Sequence, residues 1–505
     1  MKKTLLGAAS LLMLSSPILA QQPNIVLFLV DDMGWQETSV PFWKERTPLN
    51  DKYHTPNMEK LASIGMKFTN AYACSVSSPS RVSLMTGANV TQHKVSNWTL
   101  QFNQSTDGPS DELKFGKWNN NGLSPQPNIE NTFYAKPLPE ILRENGYTTM
   151  MLGKAHFGAI GTPAEDPKAI GFDYNIAGHA AGAMGSYLGE QNYGNTDDPN
   201  NIWGVPHLSK YHGTDTFLTE ALTLEAINLV DTALTKDKPF FLYMSHYAVH
   251  APFGKDKRYY QKYIDKGLSD KEAQFAGLIE GMDKSLGDLM QHLEAKGIMD
   301  NTIIIFMSDN GGYAVQRDRA NAPATLGKGS LFEGGIREPM LVYWNGVTQP
   351  NSSSDAPVHI EDFFPTLLEM ADSKASNLPQ EVDGISFVSQ LKGKKPSKEK
   401  TLYFHYPNSW GERYGGGGIP QSAIIDGDWK FIYDYETGKS HLFRLSEDIS
   451  ERNNLIDNPK YKKQANKLAK KLSNKLKENK SNMPLLKTSN TYVNYPDGSK
   501  CSLEL

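Results

Sequence analysis

Short, continuous apolar runs along the chain predict strands that are buried on both faces of a sheet. The first is PNIVLFLV at Pro23–Val30, which is rich in β-branched residues and too short for most helices. Similar runs follow at Tyr147–Gly153, Lys238–His246 and Asn301–Gly312. Stretches with helical periodicity lie between them, such as Thr55–Gly65, which stops at a glycine, and Glu272–Gly297. This alternation predicts an α/β fold whose mostly parallel sheet is flanked by helices.

The pattern changes near residue 395. The polar stretch GKKPSKEK (Gly393–Lys400) reads as a linker. The short strand-like runs TLYFHY, SAIIDGDWKFIYDY and KSHLFRL follow it, and then a lysine-rich helix from about Pro459 to Glu478. We therefore expect a large N-terminal domain over residues 21–395 and a small α+β C-terminal subdomain over 396–505, with an antiparallel sheet and a helix. The lysines suit the solvated face of that helix.

The first twenty residues differ from the rest. They have a Lys2–Lys3 start, an apolar middle and Ala20 before QQPN, which predicts a signal peptide over residues 1–20 and an exported, periplasmic or secreted bacterial protein. A membrane anchor is the alternative. It is disfavoured because Ser15, Ser16 and Pro17 break the apolar run. The residue directly after Ala20 is not a cysteine, so a lipid attachment site has no support.

Composition narrows the function classes. A net charge of −4 over 505 residues gives no basic field for nucleic acid. Only two cysteines occur, Cys74 and Cys501. Export would permit a disulfide between them, but Cys501 lies in a polar tail, so we expect none.

Two predicted strands end in adjacent polar side chains, Asp31–Asp32 and Asp309–Asn310. Open α/β sheets bind ligands at the carboxyl ends of their strands, so these groups are expected to converge. Carboxylates so close together need a cation, and an all-oxygen set favours Ca²⁺ or Mg²⁺ over Zn²⁺. Either pair alone would more simply end a strand in a turn. Two such pairs favour a metal site.

The stretch SSPSRVSLMTG (Ser77–Gly87) reads as a helix start. Pro79 suits the first helical position, which places Ser77 and Ser78 at the positive end of the helix. Arg81, one turn in, can reach back as a fixed cation toward an anion bound there. In isolation, a serine cap with a surface arginine explains the stretch equally well.

The same stretch resembles the signature of type I, formylglycine-dependent sulfatases of the alkaline phosphatase-like superfamily. The resemblance extends over most of the chain, through NIVLFLVDDMGW, MLGKAHFG, FLYMSHYAVHAPF, FMSDNGG and GKGSLFEGGIREP. It implies that Ser77 is converted to formylglycine (3-oxoalanine), whose hydrate is the nucleophile. Cys74 lies three positions too early for this role. A serine at this position implies a bacterial member matured by a serine-acting sulfatase-maturing enzyme before export.

The resemblance also implies residue roles. Asp31, Asp32, Asp309 and Asn310 would bind one Ca²⁺ together with an oxygen of modified Ser77. Arg81 would hold the formylglycine, and His156 would pair with its hydrate. Lys154, Lys328 and His250 would grip the sulfate. His246 is a rival for the last position, but His250 directly precedes Ala251–Pro252, as the family's histidine precedes x-Pro.

The implied function is an exported sulfatase that hydrolyses O-sulfate esters of carbohydrates, such as host glycosaminoglycan or mucin-type glycans, with galactose-configured sugars as one candidate. Sugar contacts are expected from loop residues, namely His93, Trp98, His179, His405, Trp410 and Arg413. One alternative is a related metallo-phosphohydrolase with an unmodified serine and two Zn²⁺, although Asn310 stands where it would need a histidine. The other is an inactive glycan-binding homologue, against which the complete ligand set argues.

Overall fold

The computed structural model describes residues 22–313, 320–394, 400–410, 418–501 and 503. The predicted signal peptide, 1–20, and the predicted domain boundary at 395–396 lie outside these ranges. The strands in chain order are β1 (Asn24–Val30), β2 (Met66–Tyr72), β3 (Leu113–Lys114), β4 (Leu123–Ser124), β5 (Phe133–Tyr134), β6 (Thr148–Gly153), β7 (Tyr174–Ile176), β8 (Phe240–Ser245), β9 (Thr302–Ser308), β10 (Arg337–Tyr343), β11 (Ser352–Ser354), β12 (Val358–His359), β13 (Thr401–Tyr406), β14 (Gln421–Asp426), β15 (Trp429–Asp434), β16 (Ser440–Arg444) and β17 (Leu485–Leu486).

The α-helices lie between these strands. In chain order they are α1 (Pro48–Lys52), α2 (Pro56–Ile64), α3 (Ser77–Thr86), α4 (Val90–His93), α5 (Leu138–Glu144), α6 (Leu218–Leu234), α7 (Tyr260–Asp265), α8 (Asp270–Ala295), α9 (Glu333–Ile336), α10 (Phe363–Met370), α11 (Val388–Leu391) and α12 (Lys462–Glu478). No helix in the described ranges is both long and apolar enough to cross a membrane.

A nine-stranded sheet organises the N-terminal part. Its order is β11-β2-β10-β9-β1-β8-β6-β7, and β12 also pairs with β2. Strands β9, β1, β8, β6 and β7 are mutually parallel, while β10 runs antiparallel to both β9 and β2. The predicted mostly parallel sheet is thus confirmed.

Helices cover both faces of this sheet, which explains why its central strands are apolar throughout. In β1, Val26 and Phe28 belong to the core beneath α6 and α8, whereas Ile25 and Leu27 belong to the core beneath α3, α5 and α10. Successive side chains of a strand point to opposite faces, so a strand covered on both sides needs apolar residues at every position.

The predicted C-terminal subdomain is also present. Strands β13-β14-β15-β16 form an antiparallel sheet, and the apolar side of α12 packs on it through Leu468 and Leu472. A buried charge cluster joins this sheet to the rest of the chain. The Nζ of Lys430 on β15 lies 2.8 Å from carboxylate oxygens of both Glu333 on α9 and Glu451, and all three side chains are fully buried. Breaking such a buried network is costly, so the two parts are firmly attached.

Candidate active site

The acidic side chains converge at one edge of the large sheet. Asp31 and Asp32 directly follow β1, and Asp309 and Asn310 directly follow β9. These strands are parallel neighbours in the register Val30 to Ser308, so their polar ends meet. Oxygens of the three aspartates lie within 4.8 Å of one another, and all three side chains are buried.

Ser77 lies directly above these carboxylates, as the first residue of α3. Its Oγ is 3.1 Å from Asp31 Oδ1, 3.1 Å from Asn310 Oδ1 and 2.9 Å from Lys154 Nζ. The helix begins at Ser77 rather than at Pro79, and the residue before it, Val76, offers no side-chain cap. Ser77 therefore stands within the first turn, near the unpaired N–H groups and the positive end of the helix dipole.

Three cations neutralise the aspartates. The Arg81 guanidinium donates to Asp309 Oδ2 from Nε at 3.0 Å and from Nη2 at 2.9 Å. Lys154 Nζ lies 2.6 Å from Asp31, and Lys328 Nζ lies 2.7 Å from Asp32. Arg81 also donates from Nη1 to the Lys154 carbonyl at 2.8 Å, which fixes the strand end that carries this lysine.

The pKa values reflect this balance. Burial raises the pKa of Asp31 to about 7, although Lys154 opposes the shift. Burial also acts to raise the pKa of Asp32, but Lys328 and His250 outweigh it and hold that pKa below its usual range. When all three carboxylates are ionised, the three cations cancel their charge, so a divalent cation would give the site the positive charge that an anionic substrate needs. The residues fit such an ion, because the cluster offers carboxylate and amide oxygens with no thiol.

His156 is held in one tautomer. Its Nε2 lies 2.9 Å from the Thr99 carbonyl, which can only accept, so Nε2 carries the proton and Nδ1 keeps a free lone pair. Nδ1 is buried and has no hydrogen-bond partner among the described residues. Burial lowers the pKa of His156 well below its usual range. A neutral imidazole with a free, buried nitrogen can accept a proton from a group bound in the cavity beside it.

Gly182 packs flat against this imidazole. A Cβ on Gly182 would lie 2.2 Å from Cε1 and 2.3 Å from Nδ1 of His156, so an alanine there must displace the ring. We expect Gly182→Ala to lower kcat by roughly 10- to 100-fold, because small misplacements of catalytic groups are costly. The matched control is Gly277→Ala in α8, where the nearest atom is 3.8 Å from the new Cβ. Steady-state kinetics check this, and full activity in Gly182→Ala would contradict a role for the ring position.

The two rival histidines occupy different environments. His250 lines the cavity above Ser77, with Nε2 3.6 Å from Asp32 Oδ2 and Nδ1 against the Ala251 carbonyl. His246 is fully buried, and its Nε2 lies 2.9 Å from Ser285 Oγ. Of the two, only His250 reaches the space next to Ser77.

A cavity of about 600 Å³ opens over Ser77. Lys154, His156, His250 and Lys328 line it together with Ser77 and Asp32. Its remaining wall is largely aromatic and comes from loops, with Trp98, Trp203, Phe253, Tyr313 and Trp410. Trp410 follows β13, so the C-terminal subdomain contributes to this wall. Such a wall suits the apolar faces of sugar rings.

The other predicted sugar contacts lie elsewhere. His93 and His405 are buried and absent from the cavity lining. Each has both ring nitrogens occupied: His93 by Ser83 Oγ and the Val95 N–H, and His405 by Ser422 Oγ and the Asn482 carbonyl. His179 also does not line the cavity, although its backbone carbonyl accepts a hydrogen bond from the backbone N–H of His156 at 3.3 Å. Arg413 lies outside the described residues.

Sequence reasoning did not single out several lining residues, among them Trp203, Phe253, Lys271, Gln274 and Tyr313. They come from separate loops and from the first turns of α8, and no motif links them.

Comparisons with known proteins agree with this geometry. The family model described as Sulfatase matches residues 23–373, and that of the N-sulphoglucosamine sulphohydrolase C-terminal region matches residues 325–479. A sulfatase of Formosa agariphila is 30% identical, over 92% of this chain and 91% of its own. The N-acetylgalactosamine-6-sulfatase of Mus musculus is 28% identical, over 88% of this chain and 84% of its own. The crystal structure of Ps i-CgsB in complex with k-i-k-neocarrahexaose aligns with a TM-score of 0.72 and 28% identity, covering 91% of this chain and 94% of that one.

An α/β fold with buried acidic and basic side chains at one edge of its sheet is typical of an enzyme that hydrolyses anionic esters. The chain belongs to the formylglycine-dependent sulfatase family of the alkaline phosphatase-like superfamily, as the signature had indicated. It is a sulfuric ester hydrolase.

Proposed function

We propose that this enzyme removes O-sulfate groups from carbohydrates, with galactose-configured sugars as the first candidates, through a formylglycine formed at Ser77. The position of Ser77 carries the proposal. It lies at a helix start on the cavity floor, within 3.1 Å of Asp31, Asn310 and Lys154. The aromatic wall and the names of the relatives support a sugar substrate, since one acts on N-acetylgalactosamine 6-sulfate and another was crystallised with neocarrahexaose.

The groups around Ser77 have separable roles. The formylglycine hydrate would supply the hydroxyl that attacks sulfur, and a divalent ion held by Asp31, Asp32, Asp309 and Asn310 would offset negative charge there. Lys154 and Lys328 reach the same point and are placed to stabilise the sulfuryl oxygens. Arg81 holds Asp309 and the Lys154 backbone in position. His250 lines the cavity beside Ser77 and would give a proton to the departing alcohol oxygen. His156 would accept a proton from the hydrate through its free Nδ1.

Sulfate release from a panel of monosulfated monosaccharides tests this function. We expect turnover by natively matured protein, with preference for a sugar of galactose configuration over its gluco counterpart. Binding without release in a fully matured sample would instead favour the inactive glycan-binding homologue. Equal rates on both configurations would remove the galactose assignment.

We propose Ca²⁺ as the resident ion, one per chain. Chelation is expected to lower kcat by at least about 100-fold, and added Ca²⁺ to restore it, because removal of the ion takes away positive charge that stabilises the sulfuryl group. Elemental analysis of purified protein checks the stoichiometry. Two zinc ions per chain, with hydrolysis of phosphate rather than sulfate esters, would favour the metallo-phosphohydrolase. Restoration by Mg²⁺ alone would reassign the ion.

We also propose that the protein is exported to the periplasm or the medium of a bacterium after a serine-acting sulfatase-maturing enzyme has converted Ser77. The charged start, short apolar middle and Ala20 of residues 1–20 support export. The serine at the first signature position supports that type of maturation.

A further inference from the structure

Two residues on the first turns of α8 line the solvent end of the cavity. Lys271 is exposed and Gln274 is half-buried, whereas Ser77, Lys154 and His156 at the other end are buried. Residues three apart on a helix share one face, so the Lys271 ammonium group and the Gln274 amide lie on the same side of α8. The ammonium group offers donors to a ligand in the cavity. The Gln274 amide already donates one N–H to Asp270 Oδ2 at 2.6 Å, which leaves its second N–H for a ligand.

The charge of Lys271 is not compensated as those of the other cavity lysines are. Lys154 and Lys328 each lie within 2.7 Å of an aspartate, but within the described ranges Lys271 forms no ion pair. Its acidic neighbours are already engaged. Asp270 pairs with Lys255 at 2.7 Å, and Glu272 pairs with Lys52 at 2.5 Å.

Helix formation does not explain this lysine. Lys271 lies in the first turn of a 26-residue helix, where the helix dipole disfavours positive charge. The helix start is already capped by Ser269 and Glu272, which exchange hydrogen bonds in a capping box. Neither the capping box nor an ion pair within the described ranges therefore accounts for a cation at this position.

We propose that Lys271, assisted by Gln274, binds a second anionic group of the substrate while the reacting sulfate lies at Ser77. The inference rests on the proposed function and narrows the substrate to a sugar with two anionic groups. The aromatic side chains between these ends, including Trp98 and Trp203, would contact the sugar rings that join them. The second anion is another sulfate on the same glycan or the carboxylate of an adjoining uronic acid.

Paired substrates test this specificity. For each monosulfated sugar that the enzyme hydrolyses, kcat/KM is compared with that of the same sugar bearing a second sulfate, and of the same sugar linked to a uronic acid. We expect one of the two-anion substrates to be preferred by about five- to tenfold, the size of a partly exposed charge contact. In Lys271→Gln this preference should disappear, because kcat/KM for the two-anion substrate falls to that of the one-anion sugar.

Two variants separate local contact from general attraction. Lys271→Arg should keep most of the preference, because the positive charge remains. Lys463→Gln removes one charge from the exposed side of α12, away from the cavity, and should keep all of it. Loss of the preference to the same extent in Lys463→Gln overturns the proposal. It is also overturned if the wild-type enzyme hydrolyses one-anion sugars and prefers neither of the two-anion substrates. Failure to release sulfate from any sugar would instead refute the proposed function.

Discussion

Ser77→Ala is expected to lower kcat by at least about 10⁴-fold, because removal of a covalent nucleophile leaves only what binding and charge stabilisation contribute. Ser77 Oγ is the one hydroxyl on the cavity floor that contacts Asp31, Asn310 and Lys154 together within the described residues. The fold should be retained, since alanine suits a helix start and removes only the hydroxyl. Hydrolysis of a sulfate ester by the purified variant checks the loss.

Ser75→Ala is the matched control. It removes a buried serine hydroxyl two residues earlier that has no hydrogen-bond partner among the described residues, so activity should be unchanged. Mass spectrometry of the active wild-type protein should show Ser77 lighter by two hydrogens, and Ser77→Cys should keep activity where it is matured. An unmodified serine in fully active protein would contradict the formylglycine, whatever the alanine variant shows.

Asp309→Asn is expected to reduce both activity and stability. The substitution removes one carboxylate from the acidic cluster and leaves the buried Arg81 guanidinium without its anionic partner. Loss of one partner of a buried ion pair costs about 3 kcal/mol or more of the free energy of unfolding. Turnover should fall by about 10²- to 10³-fold, because the ion and Arg81 both lose their anchor.

Denaturant unfolding in calcium and in chelator checks this prediction. The wild-type protein should lose stability on chelation, and Asp309→Asn should lose less, because its site binds the ion weakly from the start. Asp111→Asn, which changes an exposed aspartate, should match the wild type in both buffers. An Asp309→Asn protein that is as stable as the wild type and still gains stability from calcium would show that this carboxylate does not hold the ion.

The fold was largely predictable where a strand is covered on both sides. Unbroken apolar runs placed β1, β6 and β8 within two residues of their observed bounds, whereas β9 starts one residue after its predicted run begins and ends four residues before it ends. Strand β10 was not predicted as a strand, because it opens with Arg337 and Glu338. Both side chains are buried: Arg337 pairs with Glu333, whereas burial raises the pKa of Glu338 well above its usual range. A pattern of apolar positions misses a strand whose burial of titratable side chains depends on tertiary contacts.

The site residues that could be predicted are those that directly follow a strand. Asp31, Asp309 and Lys154 stand directly after parallel strands, so topology alone brings them together. The aromatic wall could not be predicted, because Trp203 and Phe253 reach it through loops whose paths no local pattern fixes. The same limit explains the isolated histidines. His93 and His405 resemble loop ligands in sequence, yet each fills its hydrogen bonds inside the protein.

The buried contact between Lys430 and Glu333 has an evolutionary consequence. Glu333 lies five residues after Lys328, so the segment that brings this lysine to Asp32 is also tied to the C-terminal sheet. A C-terminal region borrowed from a relative that lacks a basic residue at this point would leave Arg337 as the one remaining cationic partner of buried Glu333 among the described residues. The two parts of the chain are therefore constrained to diverge together, and new specificities are more readily gained in the loops around the cavity than by recombining its domains.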